Sequence, residues 1–538
     1  MSSPLAVTRD HSPTSFASTR YPSRVAAPRF PRFLTAMLCA SLLAGCGTFR
    51  SYRAEMDETL SRAASGDVAG AIKVVEKNNS LMGGKDLLYH MELGELKRMA
   101  GDYEGSFAAL SAADAELIAW EQASRLDPDR VTGQVASYLL NDRVRTYEGH
   151  DYEKVMVTTR MAMDHLARGD WDNARVEIKR THEREAFISE LRTQEYLKVQ
   201  EEAKRRGVDP SFKEIGGYPV HALETPEALS LRNSYQNALS HYLAGFVYEA
   251  LGEIGLSAPD YRKAIELKPG QPLLEQALAG LDERSSAADD GTCDMLMIIE
   301  TGAIPGRISQ NFNLPIPILA YGTFVTMPIS FPILPPPPMA YQAPDVQVDR
   351  NGSVPTAHVL DLDAVARRAL KEEMPSIMLR AFIRASSKAV AQYQLQQQMA
   401  QRNRKQNDGG LGAALALLAV QIGGVIVEQA DERGWRMLPE QVSIARVRIP
   451  RGQHAVDIRT ESGTAGFQVN VTGRHALVSV RLLRGQSFAS PATSPGGATT
   501  PPPAQSTRFD GESGQPLYAR TEVIEFPHPL PPPRRTAQ

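Results

Sequence analysis

The sequence predicts a multidomain α+β chain, in which an N-terminal all-α solenoid of helical hairpins precedes a mixed region with long helices and a small antiparallel β-sandwich or meander. Gly-Asp breaks recur at a near-constant spacing between apolar-periodic helical segments of the first half. After the polar run Ser285 to Gly291 the periodicity changes from helical to alternating. Proline marks the seams: 11 fall between Pro305 and Pro355 and 11 more between Pro491 and Pro533, against seven in residues 47–300. At 538 residues the chain is too long for one small module. Its 59 Lys+Arg against 62 Asp+Glu leave no basic field of the kind nucleic-acid binding needs.

Residues 1–45 read as a targeting segment. A Ser/Thr/Pro/Arg-rich stretch with one acid, Asp10, leads into the short apolar run Phe33 to Ala44. That run is far below the roughly 20 residues a spanning helix needs. Leu43-Ala44-Gly45-Cys46 resembles the lipobox of bacterial lipoproteins, which implies cleavage before Cys46 and acylation of its thiol. Gly47 stands where such lipoproteins carry an aspartate to stay at the inner membrane, so the resemblance implies the periplasmic face of the outer membrane. The expected mature chain has a net charge of about −7 and two cysteines, Cys46 and Cys293. With Cys46 acylated no intramolecular disulfide can form, so packed cores must supply the stability.

Residues 46–288 read as helices with short polar breaks. Gly66-Asp67, Gly101-Asp102-Tyr103 and Gly169-Asp170-Trp171 each separate two helices, with glycine spacings of 35 and 68 residues. These are close to one and two periods of about 34, the tetratricopeptide (TPR) repeat length. In each break the glycine permits the turn and the aromatic fills the cleft between helices. Ala71, Ser106 and Ala174 take the small-residue place. The fullest match is Gly245, Tyr248, Gly252, Tyr261, Ala264, Leu267 and Pro269. Here Gly245 is the close-packing position, Gly252 the turn, Tyr261 and Ala264 the core of the second helix, and Pro269 the stop. Pro259 departs from the pattern and is expected in a first helical turn. Repeats cannot bury their cores alone, so the array is expected to continue through residues 115–145. Tyr147, Tyr152 and Glu153 lie in a Tyr- and acid-rich stretch outside the pattern, expected to pack a repeat against a linker, with a ligand contact as the alternative. No histidine pair makes a close metal-binding spacing, and no cofactor or metal is expected.

Residues 289–358 begin with a buried strand, Met295 to Ile299, and continue into proline-studded segments expected as edge strands and polyproline II. Residues 359–400 form a long amphipathic helix with Arg380, Arg384 and Lys388 in an i, i+4, i+8 row, a solvated face or a contact for an acidic partner. Residues 401–440 hold a polar linker, the apolar stretch Leu411 to Val427 and the run Asp431-Glu432-Arg433-Gly434-Trp435-Arg436-Met437-Leu438-Pro439. Asp431 and Arg433 are expected to pair, and Trp435 to wedge between the apolar helix and the strands that follow. Residues 441–486 alternate as antiparallel strands, and residues 487–538 have too few apolar anchors to fold, although Leu517 to Phe526 could add a strand.

The Asp431 to Pro439 run and Ile444 to Gly452, with Tyr147 to Glu153, Gly169-Asp170 and the Arg380/Arg384/Lys388 helix, resemble a family of uncharacterised proteobacterial lipoproteins with N-terminal TPR repeats. The resemblance covers roughly residues 46–485. It implies an envelope protein associated with small lipoproteins of the peptidoglycan-synthase-activator type, and no catalytic residue carries over from it. The expected function is a non-catalytic, lipid-anchored scaffold for periplasmic or outer-membrane proteins, with no nucleic-acid partner. The alternatives are an accessory lipoprotein of an export or secretion system and, less favoured, a cell-wall hydrolase. No Gly-x-Ser-x-Gly, phosphate loop or zinc spacing supports the last.

Overall fold

The computed structural model describes residues 52–82, 85–126, 146–206, 215–318, 323–337, 341–403, 429–461, 463–497 and 506–508. Cys46 and the targeting segment, residues 127–145, the apolar stretch 411–427 and the candidate strand 517–526 lie outside them. The fold is mixed α+β.

Four helical hairpins lead: α1 (Tyr52–Ala64) with α2 (Val68–Met82), α3 (Leu87–Met99) with α4 (Tyr103–Leu126), α5 (Asp151–Ala167) with α6 (Trp171–Arg206), and, after the short α7 (Pro226–Ser230), α8 (Ala238–Ala250) with α9 (Ile254–Leu267). The Gly-Asp breaks work by two complementary devices. Gly66, Gly101, Gly169 and Gly252 close the first helix of each pair with φ between 76° and 88°, a conformation costly for any residue with a Cβ. In the first three, the following aspartate caps the next helix: Asp67 accepts from Gly70 N, Asp102 from Gly105 N and Asp170 from Asn173 N. Ala71, Ser106, Ala174 and Ala264 are buried, and a Cβ on Gly245 would stand 2.7 Å from the Tyr261 ring. Pro259 lies within α9, beyond the expected first turn.

After α10 (Pro272–Ala279) and α11 (Leu281–Ser286) come β1 (Thr292–Thr301), β2 (Ile308–Ile318), β3 (Thr323–Ile333), β4 (Asp345–Val348), β5 (Ser353–Val354), β6 (Thr356–Asp361), α12 (Leu362–Asn403), β7 (Gln441–Pro450), β8 (Gly452–Thr460), β9 (Gly463–Val471), β10 (His475–Leu483), β11 (Gln486–Ala489) and β12 (Ser506–Arg508). They make a six-stranded sheet β12-β11-β10-β1-β7-β6, a four-stranded sheet β5-β4-β8-β9 and the ribbon β2-β3. The near-continuous apolar run of β1 follows from its central place, covered on both faces. Met295, Met297 and Ile299 face a core shared with β4, β8 and β9, while Leu296 and Ile298 join the core built with the helices.

Three expectations change. The strands of 441–486 are no antiparallel meander, because β10 runs parallel to β1, β7 antiparallel to it, and β8-β9 leave for the other sheet. Both sheets nevertheless contribute buried residues to one apolar core. The proline-rich segments are edge strands, as expected, but in place of polyproline II they pair with each other over eleven residues as an antiparallel ribbon. Its register places Pro315, Pro317, Pro328 and Pro332 in the same alternate class of residue pairs, as required if each missing N–H is to point away from the partner strand. Part of the stretch beyond 486 is structured: β11 pairs with β10, β12 with β11, and Thr493 bridges Leu477.

Candidate functional site

The N-terminus of α5 organises the candidate site. His150 occupies the N-cap position, and its N–H donates 2.9 Å to Glu153 Oε2, three residues on. Tyr147 Oη donates to the same oxygen at 2.5 Å, and Trp435 N donates 2.7 Å to Glu153 Oε1. The fully buried Glu153 carboxylate thereby joins two segments that sequence analysis had singled out separately. The Asp431–Arg433 pair forms with contacts of 2.7 and 2.8 Å, and the Arg433 guanidinium lies 5.1 Å from the centre of the Tyr147 ring. Trp435 is buried in the core joining helices and sheet, and Tyr152 stacks on His150.

Two groups that sequence analysis missed complete this junction. Glu373 of α12 receives His150 Nδ1 at 2.8 Å and Arg307 Nη1 at 2.8 Å. Against the cost of burial, Arg307 and His150 hold the Glu373 carboxyl well below the usual range. Burial and Arg307 oppose a charge on His150, but Glu373 and Glu153 outweigh them and its pKa is raised. Burial, reinforced by Glu153, pushes the Tyr147 and Tyr152 phenols well above their ordinary value, so both stay neutral donors. The Glu at the third position of α5 signals the cap in the sequence. Nothing local to Arg307 or Glu373 signals their meeting.

Beside this junction opens a cleft of about 900 Å³ between α6 and α12. Tyr147, His150, Asp151 and Asp431 contribute to its lining, with Arg192, Tyr196 and Leu197 from α6 and Ser376, Ile377 and Arg380 from α12. Arg192 forms a two-pronged pair with Asp151, and against the cost of burial Arg192 and Lys154 hold the Asp151 carboxyl at about 2. Tyr196 and Leu197 are 62% and 63% exposed, unusual for large apolar side chains beside a concavity. Of the basic row on α12, only Arg380 lines the cleft; Arg384 is buried and Lys388 half-buried, so the row is no solvated face. The repeat residues Gly101, Tyr103, Gly169, Trp171, Gly245, Tyr248, Gly252, Tyr261 and Ala264 belong to the hairpins, and Pro269 follows the end of α9.

Of the acids lining the cleft, Asp151, Glu373 and Asp431 each face a guanidinium or imidazole. Such a surface offers hydrogen bonds and apolar contact. Cys293, the second residue of β1, is buried and its thiol is pushed up to about 12 by burial, then by Asp294, which leaves it a poor nucleophile. Among the described residues no helix is long and apolar enough to cross a membrane. No protein-family model matches the chain, and no curated protein matches it.

Proposed function

We propose that this protein is a non-catalytic scaffold, tethered to the periplasmic face of the outer membrane by acylated Cys46. Its four hairpins form a TPR-type array, and the α6–α12 cleft receives an extended segment of an envelope protein. The observation that carries this reading is the cleft itself: about 900 Å³, with the exposed pair Tyr196 and Leu197 and the ion pairs Arg192–Asp151 and Arg307–Glu373 in its lining. An apolar anchor beside neutralised polar groups suits a peptide carrying an aromatic or branched aliphatic side chain among polar residues. The Gly-Asp breaks at one and two repeat lengths support the array assignment.

The test is photocrosslinking in intact cells from a reactive residue placed at Tyr196, compared with one at Val176, an exposed α6 residue outside the cleft lining. A discrete crosslinked envelope protein from position 196 alone, lost on Leu197→Asp, is expected. Identical products from both positions would refute the cleft as the docking place. Turnover of wall fragments by the purified chain would refute the non-catalytic reading.

A further inference from the structure

We propose that His182, His241 and Asp260 bind one transition-metal dication of the zinc type, with Glu185 holding the far nitrogen of His241. His182 and Glu185 stand on consecutive turns of α6, His241 on α8 and Asp260 on α9, so the site joins two helical hairpins. His241 Nδ1 lies 2.9 Å and His182 Nε2 3.2 Å from the same Asp260 oxygen, Oδ1. The three donor atoms all fall within 4.8 Å of one another. With metal–ligand bonds of about 2.0–2.1 Å, tetrahedral ligands are separated by roughly 3.3 Å; both contacts to Asp260 are close to that, and the two imidazoles, stacked with 10° between their planes, would turn to share an ion.

The polar contacts point the same way. His182 Nε2 faces Asp260 Oδ1 in a geometry that makes no hydrogen bond, and among the described residues it has no other partner. His241 Nε2 meets Glu185 Oε2 at 3.1 Å, the carboxylate–imidazole arrangement that fixes the tautomer of a ligating histidine. The Glu185 side chain is 3% exposed, and its other oxygen has no hydrogen-bond partner among the described residues.

Asp260 and Glu185 are two buried carboxylates, and among the described residues their ion pairs are to histidines alone. A dication set between them would offset both charges. The cluster Glu249, Asp294 and His475 makes the contrast. There Arg446 pairs with both acids and Arg284 with Glu249, so the carboxylates are neutralised without an ion. Two imidazoles with a carboxylate suit zinc, nickel or cobalt better than calcium or magnesium. His182, with 29% of its side chain exposed, gives the ion a route in from solvent.

The experiment uses the full chain in detergent, without a histidine tag and stripped of metal by chelation, titrated with zinc by calorimetry and with cobalt by visible absorption. One equivalent of zinc and the d–d bands of tetrahedral cobalt are expected. His182→Ala and Asp260→Asn, each checked for folding by circular dichroism, should abolish both signals, and Glu185→Gln should weaken binding by about 10–100-fold. His90→Ala, remote from the cluster, should leave both intact. The proposal is overturned if the wild type takes up no stoichiometric zinc, or if folded His182→Ala and Asp260→Asn bind it as the wild type does.

Discussion

Glu92 of α3 gives the sharpest quantitative test of how the N-terminal hairpins are fastened to the Trp435 segment. Its side chain is 1% exposed and receives three donors: Tyr52 Oη at 2.7 Å and Arg436 N at 2.7 Å on Oε1, and Met437 N at 2.9 Å on Oε2. Tyr52 Oη also lies 2.6 Å from Gly434 O, and its single proton cannot serve both oxygens. A proton on Glu92 resolves this, because the carboxyl then donates to the phenol and the phenol to the carbonyl. Burial pushes the Glu92 carboxyl up to about 8, against the pull of Tyr52 and the two backbone N–H groups. An unfolded glutamate ionises near 4.3. Below that pH both states hold the proton and the group costs nothing. Between there and about 8 only the unfolded state has lost it, so stability falls as pH rises, by about 1.4 kcal/mol per pH unit and by roughly 5 kcal/mol in all.

Glu92→Gln cannot ionise; its amide oxygen can accept from Met437 N while its nitrogen donates to the phenol, and the Arg436 N–H is then left unmatched, a cost that does not vary with pH. The difference in unfolding free energy between variant and wild type, followed by tryptophan fluorescence, should move in favour of glutamine by several kcal/mol between pH 5 and pH 8. The wild type should also show a protonated-carboxyl stretch in the infrared near pH 6 that the variant lacks. A flat difference across that range, or a glutamine variant that loses ground as pH rises, would mean that Glu92 is ionised in the fold and would refute the reasoning.

Glu373→Gln should lower the His150 pKa, read by NMR titration; because that pKa is raised in the fold, the stability His150 contributes is full below the unfolded value near 6.5 and is lost as pH rises through the folded one. Gly245→Ala should cost about 1–3 kcal/mol in urea denaturation, because the new Cβ meets the Tyr261 ring. Arg160→Met should cost about 3–5 kcal/mol, since it strands the carboxylates of Glu95 and Glu300 in the interior. Cys46→Ala should release the chain from membranes without detergent, and unchanged retention in cell fractionation would remove the lipid anchor from the proposed function.

The local grammar was legible wherever a residue acts on its own neighbourhood. Gly101 with Asp102 ends one helix and caps the next whatever surrounds them, and the alternation in β8 and β9 marks strands with one buried face. Sheet order was not legible, because nothing within His475 to Leu483 specifies a parallel neighbour nearly two hundred residues earlier. The site divides the same way: the cap Glu153 is announced by its spacing from the helix start, whereas Glu373 and Arg307 acquire meaning only when α12 and the loop before β2 reach the same floor.

Helix α5 explains why pattern reading understates this interior. Every residue from Asp151 to Ala167 is buried, including Glu153, Lys154, Thr158, Thr159, Arg160 and Asp164, so no polar stripe exists to orient it. Four of these polar groups reach out to separate neighbours instead. Asp164 takes Arg98 of α3 and Ser106 of α4, Arg160 reaches Glu95 of α3 and Glu300 of β1, Thr159 meets Ser240 of α8, and Glu153 holds Trp435. Charges in an interior are expensive unless matched, so a helix carrying this many is stable only against one arrangement of partners. Their worth is therefore specificity: they fix α5 between the hairpins and the central strand in a single register, and the floor of the α6–α12 cleft begins at its first turn. Breaking the Arg160 pair should accordingly disturb that floor, visible as a shift of the His150 resonances, even where the chain remains folded.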